Sequence, residues 1–202
     1  MIRCSMVMRV LPAVLGTVLL VGSAAADANA DPDVGWNFNG IERLDAVFDS
    51  DHGGGRLDPT HLKGVVSIYD GTGLNAMEAD PAGSSLGVRG AAANGTWFEL
   101  NGSATGVVAL SFAYRTTPTG FLESRVQVWN GTGWSDLRRF GQGRTTGKDG
   151  WSRVVVPLPE ADGTVRIRIL LDGSKGANGV IRFDNIVIGR PDSEPESLDL
   201  AR

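Results

Sequence analysis

The segment GVIRFDNIVIG, residues 179–189, combines an apolar β-strand pattern with two polar residues at its centre. Ile181 and Phe183 precede Asp184 and Asn185, and three further aliphatic residues follow them. A short apolar run of this kind predicts a buried strand. A carboxylate within such a strand is costly unless it is compensated. The alternatives for the group that compensates Asp184 are backbone N–H groups, solvent, a cation, Arg182 and Arg43.

Similar short strand patterns recur along the chain, separated by Gly, Asn and Asp clusters in a sequence with 28 glycines. We predict about nine short strands and no long helix, which indicates an all-β, two-sheet antiparallel β-sandwich. Asn94-Gly95 and Asn101-Gly102 are predicted turns, and residues 41–61 a long loop. The segments that carry the pattern are WNFNG (36–40), KGVVSIYDG (63–71), SSLGVRG (84–90), TWFEL (96–100), GVVALSFAYRT (106–116), SRVQVWNGTGW (124–134), WSRVVVPLP (151–159) and TVRIRILLDG (164–173).

The first 30 residues show the layout of a secretory signal peptide. Arg3 and Arg9 precede an apolar run over residues 10–21, and Ala-x-Ala motifs end at Ala26 and at Ala30. The run is about a dozen residues, whereas a membrane span needs roughly 20. We therefore predict a signal peptide over 1–30 and a secreted, extracellular or periplasmic chain with no membrane span after cleavage.

The remainder of the chain is predicted to be one β-sandwich domain over 31–190, followed by an acidic, disordered tail over 191–202. The single cysteine, Cys4, precedes the apolar run, so cleavage leaves no cysteine for a disulfide or for thiol chemistry. Lys and Arg total 19 against 23 Asp and Glu, a net charge of −4. This mildly acidic balance argues against a nucleic acid partner.

Three motifs together resemble a known group of domains. WNFNG, the hairpin VQVWNGTGW and the final RFDNIVIG resemble, in their order and spacing, the secreted bacterial jelly-roll domains related to laminin-G-like and carbohydrate-binding modules. The resemblance covers roughly residues 35–189. It implies a jelly-roll sandwich whose partner is a polysaccharide or a cell-surface glycan.

The same resemblance implies a structural calcium ion, Ca²⁺, because in jelly-roll carbohydrate modules a carboxylate of the last strand often ligates calcium beside the first strand. The residues at the matching positions are Asp184, Asn39 and Gly40, the last through its carbonyl. Calcium takes six to eight oxygen ligands, which loops at a sandwich edge supply. The first strand departs from the pattern, since Asn39 stands where a glutamate is often found and the nearest acid is Glu42.

The sequence does not contain the constellations expected of common hydrolases. The Glu-x-Asp-x-x-Glu motif of related glucanases is absent. Glu42 and Asp45 have a spacing that would place them on opposite faces of a strand. His52 and His61 lie in or beside a glycine-rich stretch, where we expect them to be solvated. We predict that the chain is not an enzyme.

Aromatic side chains are the predicted binding residues, because sugar rings stack on them. Val126 and Val128 share one face of their strand, so Trp129 is expected on the other, exposed face, with Tyr114 and Phe121 as neighbours. The other four tryptophans are expected in the core or at sheet ends. A basic group around a glycine-rich loop could contact anionic glycans, and its members are Arg138, Arg139, Arg144 and Lys148.

Two functions from different classes stay open. The first is a non-catalytic module that binds polysaccharide or surface glycan. The second is a structural, extracellular-matrix or protein-interaction domain without a glycan ligand. An exposed group of aromatic residues beside polar side chains favours the first, and a broad aliphatic patch or an unpaired edge strand favours the second.

Overall fold

The computed structural model describes residues 34–41, 44, 46–69, 83–141 and 150–190. These residues form twelve β-strands and one 3-10 turn at Ala91–Ala93. The strands are β1 (Val34–Trp36), β2 (Phe48–Asp49), β3 (Gly55–Asp58), β4 (Val65–Tyr69), β5 (Ser85–Arg89), β6 (Thr96–Gly106), β7 (Ala109–Thr116), β8 (Ser124–Trp129), β9 (Trp134–Phe140), β10 (Ser152–Pro157), β11 (Ala161–Leu171) and β12 (Val180–Gly189).

The strands form two sheets in which every pairing is antiparallel. Sheet A has the order β10-β7-β12-β5-β4, and β1 also pairs with β12. Sheet B has the order β2-β3-β6-β11-β8-β9. The predicted all-β, two-sheet sandwich is confirmed. Among the described residues, none of the helical structure is long and apolar enough to cross a membrane.

The core lies between the inner faces of the two sheets and includes a cluster of phenylalanines. Phe183 and Phe112 of sheet A have ring centroids 5.8 Å apart. Phe98 of sheet B contacts Phe183 edge to face at 5.2 Å, and Phe140 of sheet B contacts Phe112 at the same distance. Such edge-to-face pairs add to the stabilisation from burial, so this cluster fixes the two sheets against each other.

A β-bulge accounts for the polar pair in the last strand. Asp184 pairs with Ala113, and the next pair is Val187 with Ser111, so β12 contains one extra residue. Asn185 supplies that residue in the left-handed region, at φ 48°, which asparagine tolerates better than most residues. The Asp184 carboxylate accepts a hydrogen bond of 2.8 Å from the Asn185 backbone N–H.

The bulge decides which side chains of β12 enter the core. Before it, Ile181 and Phe183 are fully buried, and after it Ile186 and Ile188 are. Strand alternation alone would place one of these two pairs on the outer face. The structure thus shows one of the partners considered for Asp184, the backbone N–H of Asn185.

Two local predictions are wrong. Residues 41–61 were predicted as a loop, but they include β2 and β3, which pair with each other. Asn101-Gly102 was predicted as a turn, but β6 continues through it to Gly106, because both residues pair with partners on β3 and β11. The predicted signal peptide, the tail and Asp45 lie outside the described residues.

Candidate functional site

The outer face of sheet B is built by strands that alternate between core and surface. In β6, Phe98 and Leu100 are fully buried, and Trp97 and Glu99 are partly exposed. In β11, Ile167 and Ile169 are fully buried, whereas Arg166 is exposed and Arg168 partly exposed. Because residues of opposite parity face opposite sides of a strand, the polar and aromatic members of both strands share the outer face.

Three tryptophans and two arginines pack together on this surface. The Arg168 guanidinium carbon lies 4.9 Å from the ring centroid of Trp97 and 4.6 Å from that of Trp134. The Arg166 guanidinium carbon lies 5.4 Å from the Trp129 centroid and 5.6 Å from the Trp134 centroid. Trp129 and Trp134 contact edge to face at 5.5 Å. We call these five residues the Trp–Arg face.

A hydrogen-bond network holds the two arginines in place. Arg168 Nε donates to Gln127 Oε1 at 2.5 Å, and the Gln127 amide donates to Asp136. Arg166 donates to Glu99 Oε2 at 3.1 Å. Glu99 thus holds Arg166, and Gln127, itself held by Asp136, holds Arg168. The Trp–Arg face is therefore pre-organised, which lowers the entropic cost of binding a ligand.

The environment of Arg168 also affects its ionisation. Burial lowers the pKa of Arg168 from its ordinary value, and the nearby Arg125 adds to the decrease. The carboxylates of Glu99 and Asp136 act in the opposite direction. Arginine nevertheless stays protonated in proteins, so Arg168 presents a fixed positive charge between the two indole rings.

At the edge of the Trp–Arg face, His61 stacks on Trp97. The two ring centroids are 4.8 Å apart with an interplanar angle of 23°. Trp97 Nε1 donates to Glu99 Oε1 at 3.3 Å. His61 and His52 are both exposed, as expected, and His61 is in addition a stacking partner of Trp97.

A polar depression of about 490 Å³ lies on the same side of sheet B. Its lining includes Arg56 and Asp49 from the β2–β3 hairpin, Asn101 from β6 and Thr164 from β11. Asn101 pairs with Arg166 across β6 and β11, so the depression borders the Trp–Arg face. Its lining contains hydrogen-bonding groups and no aromatic ring.

The structure separates the four predicted binding residues. Trp129 is partly exposed on the outer face of sheet B, as predicted, and Arg139 is exposed on β9. Tyr114 and Phe121 are 8% and 0% exposed, so the prediction that they flank Trp129 is wrong. Tyr114 faces inwards in sheet A, where its ring contacts Phe140 at 5.2 Å.

The real neighbours of Trp129 are residues that the sequence reasoning missed. Trp36 and Trp151 are buried, as expected for all four of the other tryptophans. Trp97 and Trp134 were expected in the core or at sheet ends, but they are partly exposed on the outer face. The alternation in TWFEL and in TVRIRIL was the signal that could have placed Trp97, Arg166 and Arg168 there.

The predicted calcium ligands do not form a complete site among the described residues. Asp184 is 9% exposed and accepts the Asn185 N–H, and Asn39 Oδ1 accepts the Ser84 N–H at 2.6 Å. With the Gly40 carbonyl they would provide one carboxylate and two neutral oxygens, fewer than the six to eight that calcium takes. No group of three or more Asp, Glu, His or Cys side chains in the described part of the chain could hold a metal ion. Glu42, Asp70 and Asp80, which are further potential oxygen sources, lie outside it.

No protein-family model matches the chain, and no curated protein sequence matches it. Similar solved structures include a carbohydrate-binding module, TmCBM61, in complex with β-1,4-galactotriose. It is 13% identical, with a TM-score of 0.44, over 68% of this chain and 88% of that one.

The CBM22-1 xylan-binding domain from Paenibacillus barcinonensis Xyn10C is also 13% identical, with a TM-score of 0.44, over 80% of this chain and 96% of that one. The K1 cleaved adhesin domain of Lys-gingipain from Porphyromonas gingivalis W83 is 11% identical, with a TM-score of 0.46, over 79% of this chain and 99% of that one. Because the identities and TM-scores are this low, the function proposed below rests on the residues of this chain.

Proposed function

We propose that this chain is a non-catalytic β-sandwich domain that binds polysaccharide or cell-surface glycan through the outer face of sheet B. The observation that carries the proposal is the Trp–Arg face, in which three partly exposed tryptophans lie beside arginine, glutamine and carboxylate side chains. An exposed aromatic group beside polar side chains is the feature that distinguishes a glycan-binding module from a structural domain.

The chemistry of the face suits a sugar. Indole rings bind the apolar C–H faces of sugar rings, while the polar groups beside them fix orientation. Arg166 and Arg168 present planar N–H donors, and Glu99 and Asp136 present acceptors. Together these groups can both donate to and accept from neighbouring hydroxyl groups of a sugar.

The polar depression extends the proposed binding surface across the strands. Trp134 lies on β9 at one edge of sheet B, and Asp49 lies on β2 at the other. The five strand-to-strand steps between them span about 24 Å at about 4.8 Å per step. A surface of this length suits an extended glycan chain better than a single sugar.

The carboxylates of the surface are engaged in ways that do not favour hydrolysis. Glu99 accepts from Arg166, and Asp136 lies 3.6 Å from Arg125. Glycosidases need two carboxyl groups that flank the scissile bond and act as acid and as base or nucleophile. A binding role without catalysis is therefore the function that we propose.

The alternative, a structural or protein-interaction domain, has weaker support. The large hydrophobic side chains that are exposed among the described residues are valines on four different parts of the chain: Val47, Val65, Val107 and Val155. They do not indicate the broad aliphatic patch expected of a protein interface. The edge strand β10 carries Arg153 and Pro157, which are typical of edges that avoid pairing with another chain.

Export to the extracellular space or periplasm is part of the same proposal. Its support is the charged, apolar and Ala-x-Ala order of residues 1–30. N-terminal sequencing of the protein recovered outside the cytoplasm should give a chain that begins after Ala30. Recovery of the uncleaved chain from the cytoplasm would contradict export.

A structural calcium ion at Asp184, Asn39 and Gly40 is a separate proposal, supported by the motif resemblance and by the low exposure of the Asp184 carboxyl group. Calcium at 100 times its Kd would stabilise the fold by about 2.7 kcal/mol. Thermal unfolding should then show a higher Tm in calcium than in EDTA, and D184N should remove the difference. Equal Tm values for the wild type in calcium and EDTA would contradict the proposal.

The glycan proposal is tested by co-sedimentation of the purified chain with a panel of insoluble polysaccharides. We expect retention on at least one neutral polysaccharide, at least tenfold weaker in W129A and W134A. Tyr69→Ala is the matched control, because Tyr69 is a partly exposed aromatic residue on the opposite sheet. Failure to bind any polysaccharide would refute the proposal, and equal losses in all three variants would refute the assigned face.

A further inference from the structure

The outer face of sheet A carries four arginines on four adjacent strands. Arg89 lies on β5, Arg182 on β12, Arg115 on β7 and Arg153 on β10. Arg89, Arg115 and Arg153 are exposed, and Arg182 is partly exposed. The adjacent inward-facing residues of these strands, such as Val88 and Ile181, are fully buried. The arginines therefore form a basic surface on a chain whose net charge is −4.

Two of these arginines are direct neighbours across the sheet. Arg182 pairs with Arg115 in the register of β12 and β7. Side chains at directly opposite positions have Cβ atoms about 4.5–5.5 Å apart, and like charges there destabilise the sheet. Burial lowers the pKa of Arg182 from its ordinary value, and the positive charge of Arg115 contributes to the decrease. This pair therefore costs the fold stability.

Three arginines of sheet B, Arg56, Arg125 and Arg166, form ion pairs with carboxylates. Arg56 lies 3.3 Å from Asp49, and Arg166 lies 3.1 Å from Glu99. Arg125 lies within 4 Å of two aspartates. In the described part of the chain, the ion pairs include none formed by Arg89, Arg115 or Arg182.

The contact that Arg182 makes instead is with an aromatic ring. Its guanidinium carbon lies 4.0 Å from the ring centroid of Tyr69. Gly87 makes this arrangement possible, since a Cβ at that position would lie 2.0 Å from the Tyr69 ring. The guanidinium group of Arg182 is thereby held against the Tyr69 ring, on the strand next to that of Arg115.

We propose that this arginine surface, formed by Arg89, Arg115 and Arg182, binds an acidic polysaccharide. Arginine offers planar, forked N–H donors that match carboxylate, sulfate and phosphate groups. A bound anion would relieve the repulsion between Arg115 and Arg182. Because arginines recur on adjacent strands, the surface suits a chain with repeated negative charges rather than a single ion.

The arginine surface is independent of the Trp–Arg face, because the two lie on the outer faces of different sheets. One molecule can therefore hold an acidic polysaccharide on sheet A while sheet B binds its own ligand. The inference does not require the function proposed for sheet B, and its test uses no neutral glycan ligand.

The test measures retention of the full chain on immobilised polygalacturonate, a carboxylate polymer, and on immobilised dextran sulfate, with uncharged dextran and double-stranded DNA as comparison matrices. The variant is R89Q/R115Q. The matched control is R138Q/R139Q, which removes the same charge from two exposed arginines of β9 in sheet B. Thermal unfolding first checks that both variants are folded, and R89Q/R115Q should not unfold below the wild type, because it removes the repulsion between Arg115 and Arg182. We expect the wild type to bind one or both acidic polymers. R89Q/R115Q should elute at a lower salt concentration than the wild type, because it forms fewer ionic contacts.

The expected result is at least a tenfold loss of affinity in R89Q/R115Q, with R138Q/R139Q within twofold of the wild type. Binding to polygalacturonate alone would identify carboxylates as the recognised group, and binding to dextran sulfate alone would identify sulfate esters. The inference is overturned if neither acidic polymer binds, or if both double variants lose affinity equally. DNA retained as tightly as the acidic polysaccharides would overturn the assignment to a polysaccharide.

Discussion

Replacement of Arg168 by alanine is the perturbation whose effect follows most directly from the geometry of the Trp–Arg face. The guanidinium group lies between Trp97 and Trp134 and donates to Gln127. Two cation–π contacts at a partly exposed site contribute about 1–2 kcal/mol together. A hydrogen bond from a charged group contributes about 1.5–3 kcal/mol. Release of the arginine rotamers offsets up to about 2 kcal/mol of this sum.

With the full rotamer offset, we expect R168A to lower the free energy of unfolding by about 0.5–3 kcal/mol. R168K should lie between R168A and the wild type, since lysine keeps the charge but lacks the planar group. Arg139→Ala is the matched control. It removes an exposed arginine of β9 and should change the free energy by less than about 0.5 kcal/mol.

The assay is urea denaturation followed by tryptophan fluorescence, with the m-value checked for constancy. The double variant R168A/W134A should show a coupling energy of about 0.5–1 kcal/mol, because the two residues are in contact. An R168A protein as stable as the wild type, or strictly additive effects in the double variant, would refute the reasoning that Arg168 organises the face.

Two further predictions concern the fold and one carboxylate. N185V should lower the free energy of unfolding by about 1–3 kcal/mol, because a β-branched residue is strained in the left-handed region. N185G should lower it by less than about 1 kcal/mol, because glycine adopts that region readily. Urea denaturation measures both variants, and equal losses would contradict the bulge. For Asp58, burial raises the pKa, but hydrogen bonds from the side chain and backbone of Thr60 and the charge of His61 outweigh it, so the net pKa is lowered. Its contribution to stability is thus present above the unfolded pKa of about 3.9 and lost as the pH falls through the folded pKa. Thr60→Val should raise the pKa of Asp58 in an NMR titration, and an unchanged pKa would show that the hydroxyl has no such role.

The strand patterns predicted the fold because alternation is a local property. In GVVALSFAYRT, the residues of one parity, Leu110, Phe112 and Tyr114, are all buried in β7. The same pattern argued against Tyr114 as a binding residue, since it shares the inward face with Phe112. The prediction that Tyr114 binds the ligand failed because it relied on the general preference for aromatic binding residues and ignored the alternation of β7.

The composition of the Trp–Arg face depends on which strands are neighbours in the sheet, and a local sequence pattern does not predict strand pairing. Trp97 and Arg168 are brought together because β6 pairs with β11, and Trp134 joins them through the β8–β9 hairpin. These contacts connect residues far apart in the sequence. The bulge at Asp184 and Asn185 is a similar case, because its extra residue is defined only relative to β7.

The most direct test of the central claim is an NMR titration of the ¹⁵N-labelled chain with an oligosaccharide from the polysaccharide that it retains. The five tryptophans provide five indole N–H signals. We expect the signals of Trp97, Trp129 and Trp134 to shift on binding, and those of the buried Trp36 and Trp151 to stay unchanged. Shifts confined to residues of sheet A, with the three indole signals of the Trp–Arg face unchanged, would contradict the claim that this face binds the glycan.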